Sequence, residues 1–282
     1  MQAVLENASR ASALVRTSLR CSARGDYRLA EQYLRKALKF APKGKRLSRT
    51  SRPLLWNELG MVCKYLGKFD RAEDYYRLAL RDARRSRHSA DRTFFLADLY
   101  HNFGGVEHSR GRFSRAEKYA RKGLELRLKC AAANSLAVAA DRVALAAILD
   151  GLQRHTESEI LYRAALRVYR RKYGASGREN AVILNNLGAL CQATGRAKRA
   201  EFYYRAALRN KRMHVGECHP DVAVTVNNLA MLERSQGRLK HASSLFERAL
   251  EILQNSLGRS HPNTLAVRRN RQEVWEVSGR RL

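Results

Sequence analysis

The sequence repeats itself, and the period decides most of what this chain can become. Leu38, Leu80, Leu124, Leu166, Leu208 and Leu250 each close a segment of similar pattern, at spacings of 42, 44, 42, 42 and 42 residues. The pattern is Gly-x-aromatic or Leu-x-x-Ala-x-x-x-Tyr or Phe-x-x-Ala-Leu, with substitutions. It runs through Gly25-Asp26-Tyr27, Gly67-Lys68-Phe69, Gly111-Arg112-Phe113, Gln153, Gly195-Arg196-Ala197 and Gly237-Arg238-Leu239. A fixed period of this length marks an array of identical supersecondary units, each unable to bury its own apolar faces without a neighbour.

Each unit reads as two helices. Ala200, Tyr204, Ala207 and Leu208 stand at i, i+4, i+7 and i+8, one stripe of a helix with 3.6 residues per turn. Leu184, Leu187, Gly188 and Cys191 give the helix before it the same period. The glycine between them suits a left-handed helix terminus. Gly60, Gly104, Gly188 and Ala230 lie where the helices of a pair must approach closely, and Tyr76, Tyr162, Tyr204 and Phe246 are the large partners expected to fill the space beside such residues. The expected fold is all-α: antiparallel helix pairs stacked into a right-handed superhelical solenoid. The six units cover about 11–52, 53–96, 97–138, 139–180, 181–222 and 223–263, after an N-terminal leader at 1–10. Residues 264–282 then form a polar capping helix and a basic tail, as the end of a stacked array requires.

Trp56, Leu59, Gly60, Ala72, Tyr76 and Ala79 follow the small and large signature of the tetratricopeptide repeat (TPR) family, which the chain resembles. The longer period, the pairs Asn185-Asn186 and Asn227-Asn228, and the segments His219-Pro220 and His261-Pro262 look like the kinesin light chain subtype. The resemblance implies a concave groove lined by the first helix of each pair. The inward positions are then Asn57, Met61 and Lys64 in unit two, Asp98, His101, Gly105 and His108 in unit three, Val182, Asn185, Ala189 and Gln192 in unit five, and Val224, Asn227, Met231 and Arg234 in unit six. Asn57, His101, Asn185 and Asn227 are equivalent. An asparagine side chain both donates and accepts, so it can hold the main chain of an extended peptide without reading its side chains. Lys64 and Arg234 offer partners for a carboxylate, and the two methionines offer adaptable apolar contacts. The expected function is a non-enzymatic adaptor for another protein's extended or short helical segment, of acidic character.

Fifty-five Lys and Arg against 26 Asp and Glu leave a formal charge of +29. That excess suits acidic partners: a protein segment, nucleic acid, or an anionic surface. Basic residues cluster towards the ends of the second helices: Arg81, Arg84, Arg85 and Arg87; Arg121, Lys122, Arg127 and Lys129; Arg167, Arg170, Arg171 and Lys172; Arg205, Arg209, Lys211 and Arg212. Part of this complements the helix dipole. Repeated at each period, the clusters are expected to stack into a basic ridge, whose alternative role is to bind polyanions with steep salt dependence.

Other chemistry is not indicated. Five cysteines without a C-x-x-C spacing argue against a disulfide framework and for reduced thiols. No apolar run is long enough to span a membrane. The chain is therefore expected in the cytoplasm, with import into an organelle a lesser alternative from its Ser- and Arg-rich start. His214, Cys218 and His219 fall close together in a loop of the repeat pattern and are not expected to hold a metal. No nucleophile and base pair is recognisable, and no cofactor is implied.

Overall fold

The computed structural model describes residues 2–41, 48, 51–86 and 89–279. Among these are thirteen helices and no strand. They fall into two compact units, Met1–Arg154 and His155–Leu282, divided within the repeat expected at 139–180.

The first unit holds α1 (Gln2–Ala23), α2 (Tyr27–Lys39), α3 (Arg52–Tyr65), α4 (Phe69–Arg84), α5 (Ala90–Ser109), α6 (Phe113–Leu128) and α7 (Leu136–Gly151). Helix α1 begins at Gln2, so residues 2–10, expected as a leader, are helical. The second unit holds α8 (His155–Tyr173), α9 (Asn180–Ala193), α10 (Ala197–Val215), α11 (Pro220–Ser235), α12 (Leu239–Leu257) and α13 (Pro262–Gly279). The hairpins are α1/α2, α3/α4, α5/α6, α9/α10 and α11/α12, and the first helices of successive hairpins pack on one another, α3 on α5 and α9 on α11. Helix α13 lies on α12 and buries Val267 and Val274, while Trp275 stays exposed. The rest of the expected tail, 280–282, lies outside the described residues.

The small and large pairing of the sequence is a steric fit. A Cβ built on Gly60 would lie 2.3 Å from the Tyr76 ring, and one on Gly188 would lie 2.6 Å from Tyr204. Both rings are fully buried. In the third hairpin Ala120 stands where Tyr76 stands in the second, and α6 moves in instead: the Gly104 site faces the Ala116 carbonyl at 3.4 Å.

Six turns close alike. The residue after each turn position donates to the carbonyl five back, as Arg196 does to Cys191 at 2.7 Å. The turn residue itself donates three back, as Gly195 does to Gln192 at 3.1 Å. This Schellman closure needs a left-handed residue. Gly25, Gly67, Gly111, Gly195 and Gly237 supply it with φ between 71° and 82°, and Gln153 supplies it at φ 61°. Side chains at these turns reach the preceding repeat, from the position after the turn residue in three of them and from Arg110, one place before Gly111, in the third hairpin. Lys68 pairs with Glu31 at 2.6 Å, Arg110 with Glu73 at 2.5 Å and Arg154 with Glu117 at 2.8 Å; in the second unit Arg196 pairs with Glu159 at 3.1 Å. Each pair is 37 residues apart. This ladder fixes the offset between neighbouring hairpins, and it uses the acids of an otherwise basic chain. Arg110 also meets Glu107 and Asp70, and these carboxylates raise its pKa.

Candidate functional site

The inner positions of α3, α5 and α7 form one candidate wall in the first unit, and those of α9, α11 and α13 form another in the second. The asparagines expected to face a ligand are engaged within the scaffold. Asn57 is buried, and its Oδ1 accepts from Asn102 Nδ2 at 2.7 Å. The Asn185 Oδ1 accepts from Asn228 Nδ2 at 3.2 Å and from Thr225 Oγ1 at 3.0 Å. The Asn227 Oδ1 accepts from Asn270 Nδ2 at 3.1 Å. The rule is simple: an asparagine at the inner position accepts from the asparagine one place further on in the next repeat. Asn102, Asn186, Asn228 and Asn270 form that second row, and their register was visible in the sequence.

The same positions are braced from behind. Arg127 lies near the end of α6 and Lys211 near the end of α10, at 3% and 8% exposure. Both were expected on the basic ridge. Arg127 instead reaches Asp141 of α7 at 3.0 Å and Asp98 of α5 at 2.5 Å, with its guanidinium over the Phe94 ring. Asp141 in turn meets His101 Nδ1 at 2.8 Å. Lys211 donates to the Asp221 carbonyl at 2.9 Å and to Thr225 Oγ1 at 2.7 Å, and Thr225 donates to Asn185. Burial lowers the Lys211 pKa to about 8. The two relays, Arg127–Asp141–His101 and Lys211–Thr225–Asn185, occupy equivalent places. A buried cation is tolerated only when paired or hydrogen-bonded, and both relays meet that condition.

The first wall leaves other charges without such partners. Glu58 of α3 makes no ion pair among the described residues, and burial, aided by the nearby Asp98 carboxylate, raises its pKa to about 7. Lys64, six residues on, also lacks a carboxylate partner among the described residues and lies over the Tyr65 ring, 5.8 Å from its centre; burial lowers its pKa. A Cβ built on Gly105 would come 2.9 Å from the Lys64 Nζ, so the glycine opens the space which the ammonium occupies. His108 lies close by and bonds to the Ala147 backbone; burial, with Lys64 as a further cause, lowers its pKa. Met61 is half-buried on the same helix. Asp98 was among the expected inward positions; Glu58 was not, because the charge of the whole chain draws attention to cations.

In the second unit Gln192 accepts from the Tyr204 hydroxyl at 2.9 Å, and Arg234 pairs with Glu273 of α13. Met231 is half-buried, and Val182 is exposed at the start of α9. The inner wall there is polar and largely self-satisfied.

The expected ridge divides by unit. In the first, Arg81 pairs with Asp82, Arg121 with Glu117 and Lys122 with Glu125, while Arg84 approaches the Tyr100 hydroxyl, Arg85 is exposed and Arg87 lies outside the described residues. In the second, Arg212 pairs with Glu217, whereas Arg167, Arg170, Arg171 and Arg209 are exposed and have no acidic partner among the described residues.

His219 and His261 are helix caps. The Nδ1 of each accepts a backbone N–H two residues on, at 3.1 Å. Among the described residues no group of three or more His, Cys, Asp or Glu is placed to hold a metal. The five cysteines are unpaired. No described helix is long and apolar enough to cross a membrane.

Tetratricopeptide repeat models match residues 51–129, 136–213, 222–263 and 21–43. The chain belongs to the tetratricopeptide repeat family. Among solved structures it is similar to BtubC (BKLC) from P. vanneervenii, at 22% identity over 93% of each chain with a TM-score of 0.53. It is similar to the putative kinesin light chain TPR-like repeats of Podosopora anserina, at 14% identity over 75% of this chain and 99% of that one, TM-score 0.51. NprR in complex with its cognate peptide NprX shares 15% identity over 96% of this chain and 74% of that one, with a TM-score of 0.73. No curated protein is matched by the sequence.

Proposed function

We propose that this protein is a non-enzymatic interaction scaffold that holds an extended or short helical segment of another protein against the inner wall of its first unit. The observation that carries the reading is Glu58 and Lys64, two charged side chains without an ion-pair partner among the described residues. Both are half-buried, and burial shifts each towards its neutral form because the fold offers no countercharge. Desolvated charge without a partner costs stability, and a bound segment of opposite pattern recovers that cost. The likeness of the fold to NprR, solved with a peptide, supports the same reading.

The chemistry refines the expectation of an acidic ligand. An acidic side chain or a terminal carboxylate fits Lys64, and a basic side chain fits Glu58. Met61, between them in sequence, offers an apolar contact. The inner asparagines act as fixed spacers that keep the wall in register, since their carbonyl oxygens are already used.

Selection from a displayed random-peptide library tests this. The wild-type chain is expected to enrich peptides carrying an acid and a base at a constant separation. Glu58→Lys is expected to invert the preference for the base, and Lys64→Glu the preference for the acid. Identical enriched sequences from all three proteins would refute the assignment.

A further inference from the structure

Helices α8 and α10 of the second unit run side by side. Arg196 before α10 pairs with Glu159 of α8 at one end, and His214 Nε2 meets the Ser176 carbonyl oxygen at 2.9 Å at the other. Both present the same outward row. On α8 it is Ile160, Arg163, Arg167 and Arg171; on α10 it is Phe202, Arg205, Arg209 and Met213. The positions are i, i+3, i+7 and i+11, one face of a helix about 16 Å long at 1.5 Å per residue. Ile160 is 63% exposed, Phe202 66% and Met213 60%.

The first unit lacks the apolar member of this row: Lys118, Asp74 and Gln32 stand where Ile160 and Phe202 stand. Where Arg167 and Arg209 stand, it has Glu125, Arg81, which pairs with Asp82, and Lys39. Large side chains projecting this far into water at two successive repeats, beside cations that the fold does not neutralise, are not explained by packing. Arg163 and Arg205 are paired with Glu159 and Glu201, whereas Arg167, Arg170, Arg171, Lys172 and Arg209 have no acidic partner among the described residues.

We infer that the α8/α10 face docks on an anionic lipid bilayer, with Ile160, Phe202 and Met213 entering the interface and the unpaired arginines lying among the headgroups. Bilayers take this combination, apolar tips within a basic surround. A nucleic acid would use the cations and the Phe202 ring, but it has no use for Ile160 or Met213, which lack a π face for base stacking. Charge complementarity alone would leave these positions polar, as they are in the first unit.

The test uses the full chain and co-sedimentation with two kinds of vesicle, phosphatidylcholine alone and phosphatidylcholine doped with phosphatidylserine. Binding is expected only to the doped vesicles and is expected to weaken with salt. Arg167→Gln, Arg170→Gln, Arg171→Gln and Arg209→Gln combined are expected to weaken it more than about 100-fold, given roughly 5-fold per cation near such a surface. Ile160→Ser with Phe202→Ser preserves the charge and is expected to cost about 10-fold, while leaving retention on duplex DNA unchanged. All these side chains are exposed, and an unaltered helical circular dichroism spectrum verifies the variants. Absence of binding to doped vesicles overturns the inference. So does binding that ignores the Ile160 and Phe202 changes, which marks a polyanion site only. Loss of DNA retention in the Ile160 and Phe202 variant also overturns it, by marking a stacking platform for nucleic acid.

Discussion

Gln153→Gly isolates the one turn where the repeat departs from its own rule. Gln153 makes the same two backbone bonds as its glycine equivalents: its N–H donates to Asp150 at 2.9 Å, and the Arg154 N–H donates to Leu149 at 2.9 Å. Its φ of 61° places a residue with a Cβ in the left-handed region. That costs about 1–2 kcal/mol for an L-residue. Glycine removes the cost but adds about 0.4–1 kcal/mol of backbone freedom to the unfolded chain. The net expectation is a gain of roughly 0.5–1 kcal/mol, a rise of about 2 °C in the thermal midpoint for a chain of this size. Gln153 is exposed, so nothing is lost with its side chain. The reciprocal change, Gly195→Gln, is expected to lower the midpoint by a similar amount: Gly195 has φ 73° and nothing within 4 Å of a built Cβ, so conformation alone is at stake. Gln153→Ala separates conformation from side-chain chemistry. Alanine keeps the strain and is expected to give no gain. Circular dichroism at a helical wavelength during heating reads all three. A rise with alanine equal to that with glycine, or none with glycine, would refute the reasoning.

Three further outcomes are expected. Glu58 has a folded pKa raised to about 7, so folding favours its protonated form; the associated stability is full below the unfolded value, near 4.5, and is lost as pH rises through 7. Glu58→Gln is therefore expected to raise stability at pH 8 by about 1–2 kcal/mol, discounted for partial solvation, with little change at pH 4, as measured by urea denaturation at both values. Arg127→Ala leaves Asp141 buried without its cation and the half-exposed Asp98 unpaired, and is expected to cost about 3 kcal/mol; a loss under 1 kcal/mol would show that the relay does not brace α5 and α7. Burial lowers the His219 pKa, so the neutral cap is favoured on folding and its stabilisation is present above the unfolded value and lost as pH falls. His219→Asn keeps an acceptor at the cap and is expected to flatten the acid limb of a stability profile between about pH 5 and 7.

Much of the architecture was legible because the period acts one residue at a time. Tyr76 against Gly60 and Tyr204 against Gly188 follow from size alone, and Gly195 at a Schellman turn follows from backbone sterics. The candidate site was less legible. Asn57, Asn185 and Asn227 lie on the first helices of their hairpins, and their carbonyl oxygens accept from asparagines of the next repeat, a pairing which the sequence did not indicate. Arg127 and Lys211 carry the same charge as Arg121 and Arg209, yet they are buried, and nothing in a run of basic residues distinguishes those that turn inward.

The amino-acid order by itself determined the hairpins, their number of residues and the face each helix must bury, because helical periodicity and turn sterics are local. Only the tertiary structure decided which polar groups meet: Glu31 with Lys68, Asp141 with His101, Asn228 with Asn185. Those meetings depend on how far one hairpin is shifted and rotated against the next, a quantity set by all the contacts between repeats together. The same offset left Glu58 and Lys64 without an ion-pair partner among the described residues.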